Sequence, residues 1–198
     1  LENVLFDVVG TVYEELERRL GDSFPETDVP KLFEFRSWAG SDRDGNPHVT
    51  PEVTADTLER QRRVVLERYR AQLKSLSGVL SHSGPVPGEA FAERLAADRE
   101  RLPTVAREVR ERYPDEPYRQ KLKLMRERIE RVGDVRQGGY DDADELQADL
   151  SAIAASLRAD GSGVVVDESV EPLVRQVDTF GFTLASLDFR DNRENHTE

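Results

Sequence analysis

At 198 residues the chain suits one domain or a large piece of one. It holds no cysteine, no apolar run of about 18 residues and no basic-then-apolar start, so disulfides, membrane spans and a secretory signal are unsupported and the chain reads as cytoplasmic. Asp and Glu number 40 against 28 Lys and Arg, a net charge of −12, which makes nucleic acid and membrane poor partners.

The cations are 24 Arg and 4 Lys. An acid-rich, lysine-poor surface suits a halophilic protein, where high ionic strength screens self-repulsion; a GC-rich genome also favours Arg over Lys.

In chain order, Leu1, Leu5, Val8, Val9, Val12, Leu16 and Leu20 recur at helical spacing, so the chain opens inside an amphipathic helix with no cap before it, as a piece of a longer chain does. Residues 21–30 read as a loop. Lys31 to Ser37 alternates apolar and polar residues and predicts a short strand. Thr50-Pro51-Glu52 is a helix start, with a threonine cap, proline at the first position and an acid at the positive helix end. A long helix from Pro51 to about Leu80 is expected to face Val53, Leu58, Val65, Tyr69, Leu73, Leu76 and Leu80 inward. Its Arg60, Arg62, Arg63, Glu67 and Arg70 read as a solvated face.

Residues 81–88 break that helix. Further helices are expected over 89–101, 103–112, 117–132 and 141–158, and Asp167 is a candidate cap for the next, which Gly181 ends. Phe182 to Phe189 predicts a second strand ending at Arg190. Two short strands so far apart in sequence make a sheet only by pairing with each other, and the economical expectation is a larger parallel sheet or barrel.

The most informative segment is Trp38-Ala-Gly-Ser-Asp42-Arg43-Asp44-Gly-Asn46-Pro47. It forms, with its flanks, a strand, a polar loop and a helix. In barrel and doubly wound α/β folds, ligands bind at the carboxyl ends of strands, where this loop falls. Asp, Asn and Gly are equally ordinary turn residues, so a knot that only satisfies backbone groups fits the same letters. Leu187-Asp188-Phe189-Arg190 puts a guanidinium at the same end of the second strand, a natural clamp for phosphate or carboxylate. The bland reading makes Arg190 an ion-pair partner of Asp188 or Asp191. His48 and His82 read as exposed loop residues.

These segments resemble the N-terminal half of the phosphoenolpyruvate carboxylase family, which carries Trp-Met-Gly-Gly-Asp-Arg-Asp-Gly-Asn-Pro and, later, Leu-Asp-Ile-Arg-Gln with a downstream Arg-His-Thr. Glu116-Pro117-Tyr118-Arg119, Gln176 to Gly181 and Asn195-His196-Thr197 also match in order. The resemblance implies a mostly α fold: a helical fragment carrying two strands of a (β/α)8 barrel, with 31–50 the first strand and loop, 51–181 a helical insertion and 182–198 the second strand and loop. It implies formation of oxaloacetate and phosphate from phosphoenolpyruvate and bicarbonate by a homotetramer using Mg²⁺ or Mn²⁺, with the metal ligands outside this chain. Arg190 then resembles the arginine that holds substrate phosphate, and Trp38 the tryptophan that walls the reacting pocket. Arg43, Asp44 and Asp42 would brace the loop, with Asp188 and His196 in weaker supporting places.

Ala39 and Ser41 stand where the family usually has Met and Gly, and Asp191, Asn192 and Asn195 where it has Gln, Glu and Arg. The chain lacks the family's Thr-Ala-His-Pro-Thr-Glu segment and its arginine- and glycine-rich loop. A non-catalytic helical scaffold or regulatory relative is the alternative in another class. A small independent phosphate-binding module would rest on Arg43 and Arg190 alone.

Overall fold

The computed structural model describes residues 2–20, 31–44 and 46–190. Helix makes up 67% of the structure, joined by two short strands. The chain divides into two compact units, Leu1–Val65 with Thr179–Glu198, and Leu66–Asp178.

In the first unit, α1 (Glu2–Leu20) buries Phe6, Val9 and Tyr13, a stripe at i, i+3 and i+7. The stripe is rotated from the expected one: Val8 and Leu20 are exposed, because the bulkier rings of Phe6 and Tyr13 take the inward positions. Those rings continue an aromatic ladder. Phe6 meets Phe180 at 4.6 Å between centroids, Phe180 stacks on Phe35 at 5.3 Å, Phe35 on Phe33 at 6.1 Å, and Phe33 meets Tyr13 edge-on at 6.0 Å. Phe33 and Phe35 share a face because side chains alternate along extended chain, which is the signal that suggested a strand.

The ladder-forming part is shorter than that signal. Strand β1 is Arg36–Ser37 and β2 is Ser186–Leu187, against the expected 31–37 and 182–189. Residues 182–185 are turn and bend, and the Ala185 N–H is taken by Gln61 Oε1 at 3.1 Å, outside the ladder. The two strands pair directly and in parallel, Arg36 opposite Ser186 and Ser37 opposite Leu187. Both therefore run out at one sheet edge.

The second long helix, α2 (Pro51–Val79), starts as expected: the Val53 N–H donates to Thr50 Oγ1 at 3.3 Å. Val65, Tyr69, Leu73, Leu76 and Leu80 are buried, whereas Val53 and Leu58 are exposed. Thr54 takes the inward place in the first turn, with its hydroxyl on the Gly40 carbonyl at 2.6 Å. The expected solvated face is partly engaged, since Arg70 pairs with Glu130 at 2.7 Å.

The second unit contains α3 (Glu89–Arg101), α4 (Pro103–Arg112), α5 (Pro117–Glu130) and α6 (Ala143–Ala159). Their core is Phe91, Leu95, Leu122, Met125, Ile129, Leu146, Leu150, Ile153 and Leu157, spaced three and four apart. Asp142 caps α6 by accepting from the Glu145 N–H. Next, α7 (Gly163–Val165) runs through a π-helical segment (Val166–Val170) into α8 (Glu171–Phe180). Asp167 lies inside that wide turn and caps nothing; it pairs with Arg158 at 3.2 Å. Pro172 gives the reason for the wide turn. It has no N–H for the carbonyl four residues earlier, and its ring crowds that carbonyl. Gly181, at φ +53°, ends the helix as expected.

One feature of this unit has no counterpart in the apolar pattern. Lys121, fully buried, places Nζ 2.7 Å from Asp98 and 2.8 Å from Asp149, and Arg128 Nη1 meets the same carboxylates at 2.9 and 3.3 Å. Arg128 also lies 3.8 Å over the Tyr140 ring, whose hydroxyl donates to Asp149 at 2.8 Å. Two cations balance two anions, so none of the four charges is stranded. Burial pushes the Asp98 carboxyl above its ordinary range, with Lys121 opposing that shift.

No helix among the described residues is long and apolar enough to cross a membrane.

Candidate functional site

The parallel pairing of β1 and β2 delivers the Trp38 loop and Arg190 to the same place. The ladder continues past the strands. The Asp188 N–H donates to Ser37 O at 3.0 Å, and the Arg43 N–H donates to Arg190 O at 2.8 Å. A further parallel bridge joins Asp42 and Arg190.

The loop itself is wound tightly, with both Ser41 N–H and Asp42 N–H donating to the Trp38 carbonyl at 3.0 and 3.1 Å. Gly40 sits at φ +84°, and a Cβ there would run into the Thr57 side chain. Ser41, where the related family usually has glycine, is fully buried and donates its hydroxyl to Asp188 O at 2.8 Å. That departure adds a bond between the two motifs.

The Arg190 guanidinium lies 5.2 Å from the Trp38 ring centroid and pairs with Asp42 at 3.6 Å and Asp44 at 3.4 Å. Asp188 is instead paired with Arg36 at 3.1 Å, so the expected local pairing of Arg190 with Asp188 is replaced by a pairing between the motifs. Parallel register explains it: Asp188 lies beside Arg36 on the ladder, and Arg190 is carried on to the loop. Arg43 braces through its backbone bond and by lying 5.8 Å over the Phe189 ring.

The structure thus gathers Trp38, Asp42, Arg43, Asp44, Asp188 and Arg190 into one cluster. His196, with Asp191, Asn192 and Asn195, lies outside the described residues. His48 and His82 are exposed, His82 with its ring edge-on to Tyr118 at 6.5 Å. Sequence reasoning missed three contributors: Arg36, Ser41 and Thr54. The only local signal for Ser41 was its place next to a glycine that needs a left-handed backbone.

Trp38 is 56% exposed and Phe189 64%, so the cluster presents an aromatic and cationic surface. Such a surface can hold an oxyanion on the guanidinium and an apolar group on the indole face. Among the described residues no group of three or more acidic or histidine side chains has the geometry to hold a metal ion, and no residue is assigned to one.

The family model for phosphoenolpyruvate carboxylase matches residues 1–198. The chain is 35% identical over 215 residues to a phosphoenolpyruvate carboxylase of Roseiflexus castenholzii, covering 99% of this chain and 23% of that protein. It is 38% identical over 200 residues to one of Xanthomonas euvesicatoria and 35% over 224 residues to one of Prochlorococcus marinus, in each case covering 22% of the relative. The chain thus spans less than a quarter of the length of these relatives. Placed on that longer frame, with both of its sequence motifs meeting at one sheet edge, this chain belongs to the phosphoenolpyruvate carboxylase family.

Proposed function

We propose that this chain is part of a cytoplasmic carboxy-lyase that forms oxaloacetate and phosphate from phosphoenolpyruvate and bicarbonate, and that Arg190 and Trp38 face the reacting groups. The observation that carries the reading is the Arg190 guanidinium held above Trp38 at the shared carboxyl end of two parallel strands.

In this reading Arg190 binds the substrate phosphate through paired N–H groups and offsets the charge that develops as the phosphoryl group leaves for bicarbonate. Trp38 covers the methylene carbon that takes up CO2, and its indole keeps water from the enolate. Asp42 and Asp44 hold the guanidinium until substrate takes their place. The family's Mg²⁺ or Mn²⁺ would stabilise that enolate, on ligands expected outside this chain. A homotetrameric assembly and the closing of the remaining strands into a (β/α)8 barrel belong to the same proposal.

The ion pairs from Arg190 to Asp42 and Asp44 favour a second reading, a non-catalytic scaffold in which this arginine only ties the two motifs together. Bicarbonate-dependent oxaloacetate formation by the complete protein separates the two. The carboxylase reading expects turnover, and its absence from a folded, metal-supplied preparation leaves the scaffold. The isolated 198 residues are expected to be inactive.

A further inference from the structure

Seen along the corner between α3 and α4, one hollow has a charge opposite to that of the chain. Leu102 caps α3 with its N–H on Asp98 O and immediately precedes Pro103, the first residue of α4, so the two helices meet with no linker between them. Pro103, Ala106, Arg107, Arg110 and Glu111 then share one face of α4 by helical spacing, and Arg99 reaches it from the last turn of α3. Together these six residues line an open cavity of about 440 Å³.

Three arginines against one glutamate leave two positive charges in the lining. Several other arginines of this unit are matched by acids, Arg94 by Asp149, Arg101 by Glu145, Arg131 by Glu127 and Arg136 by Asp134, while Arg112 lies over the Tyr113 ring. Among the described residues Arg107 and Arg110 have no carboxylate within ion-pair distance. Arg99 gives one N–H to Gln120 at 2.7 Å, while its Nε is buried with no partner. Burial, and then the charge of Arg110, hold the Arg99 guanidinium below its ordinary pKa, as uncompensated neighbouring cations do.

We propose that this hollow binds a small phosphate-bearing metabolite, with its dianionic head on Arg99, Arg107 and Arg110 and its carbon part over Pro103 and Ala106. Guanidinium forks match phosphate oxygens two at a time, and the two net charges of the lining match a phosphate monoester dianion. The volume falls within the range of about 300–1,000 Å³ usual for small-molecule sites. The overall charge of −12 does not oppose this, because at physiological salt it is screened beyond about 8 Å and the three guanidiniums act at contact. The lining shares no residue with the Arg190 cluster, so the inference stands or falls independently of the carboxylase reading.

The test is hydrogen–deuterium exchange on the complete protein with inorganic phosphate as probe and chloride at equal ionic strength as reference. Phosphate is expected to slow exchange across residues 99–112. The Arg107→Gln/Arg110→Gln double variant, altered at two exposed positions, is expected to abolish that protection and to raise the phosphate concentration for half-saturation there by about tenfold or more, the loss of two charge-assisted contacts. Arg190→Ala is expected to leave it intact. Protection absent from 99–112 in the unaltered protein, or unchanged in the double variant, overturns the site.

Discussion

Arg190 and Trp38 meet through their side chains, guanidinium carbon to indole centroid 5.2 Å, although they lie in different motifs at opposite ends of the sequence. Their contact depends on the parallel register of β1 and β2, in which Ser37 stands opposite Leu187. A pairing slipped by one residue would turn Arg190 to the other face.

In the complete protein, Arg190→Ala is expected to lower kcat/KM for phosphoenolpyruvate by about 2–4 kcal/mol, the usual loss for one preorganised charge-stabilising donor. Arg190→Lys is expected to restore little, because an ammonium lacks the planar fork. The ion pairs to Asp42 and Asp44 are half exposed and contribute only about 0–1 kcal/mol to stability, so the melting temperature should hardly move. Near-normal kinetics with a lowered melting temperature would make Arg190 structural.

Gly40→Ala is expected to destabilise the protein by about 1–3 kcal/mol, since it forces a Cβ into the Thr57 side chain at a φ that L-residues rarely adopt. Adding Thr57→Ala should recover the steric part and leave the backbone part. Chemical denaturation of the two single variants and the double variant measures both, and strict additivity would refute the clash.

Replacing Lys121 by Met leaves Asp98 and Asp149 buried and facing each other, with Arg128 between them and the half-exposed Arg94 on Asp149 as the remaining cations. Unpairing a buried charge in this way costs about 3–5 kcal/mol. Urea unfolding monitored by helical circular dichroism should show a lower midpoint, and an unchanged midpoint would mean that water reaches the cluster.

Asp134 is held down to about 2 from its ordinary 3.8, first by the side-chain bond from Arg136 and then by the Arg136 backbone N–H. A depressed carboxylate contributes stability that is present above its unfolded pKa and lost as pH falls through its folded one. The contribution from Asp134 should therefore fade between pH 3.8 and about 2. Arg136→Ala is expected to raise the Asp134 titration midpoint toward 3.8, read by carboxyl-carbon NMR. A midpoint still near 2 would assign the shift to the backbone alone.

With 40 acids against 28 bases, melting temperature is expected to rise with potassium chloride toward molar levels, where the screening length falls to about 3 Å. A flat or falling curve would favour a GC-rich genome over adaptation to salt.

Much of the helical structure was legible because its information is local. Pro103 and Pro117 open α4 and α5, Leu146, Leu150, Ile153 and Leu157 follow one helical stripe, and Gly181 ends α8 where expected. The misses are non-local. Asp167 looked like a cap until Pro172 is seen to widen the turn beneath it. Val8, Val53 and Leu58 are apolar at roughly helical spacing, yet Phe6, Tyr13 and Thr54 take the inward places because of what those side chains meet.

The sequence by itself determined the helices, the loop chemistry between Trp38 and Pro47, and membership of a family, because propensity, spacing and motif order are carried by neighbouring residues. Only tertiary structure decided that the two strands pair with each other, that Arg190 answers to Asp42 and Asp44 and not to Asp188, and that Lys121 and Arg128 are buried between Asp98 and Asp149. A charged residue in a sequence reads as solvated, since isolated burial would cost far more than a domain can spare. Its true partner becomes visible only when helices far apart in the chain bring the opposite charge within about 3 Å.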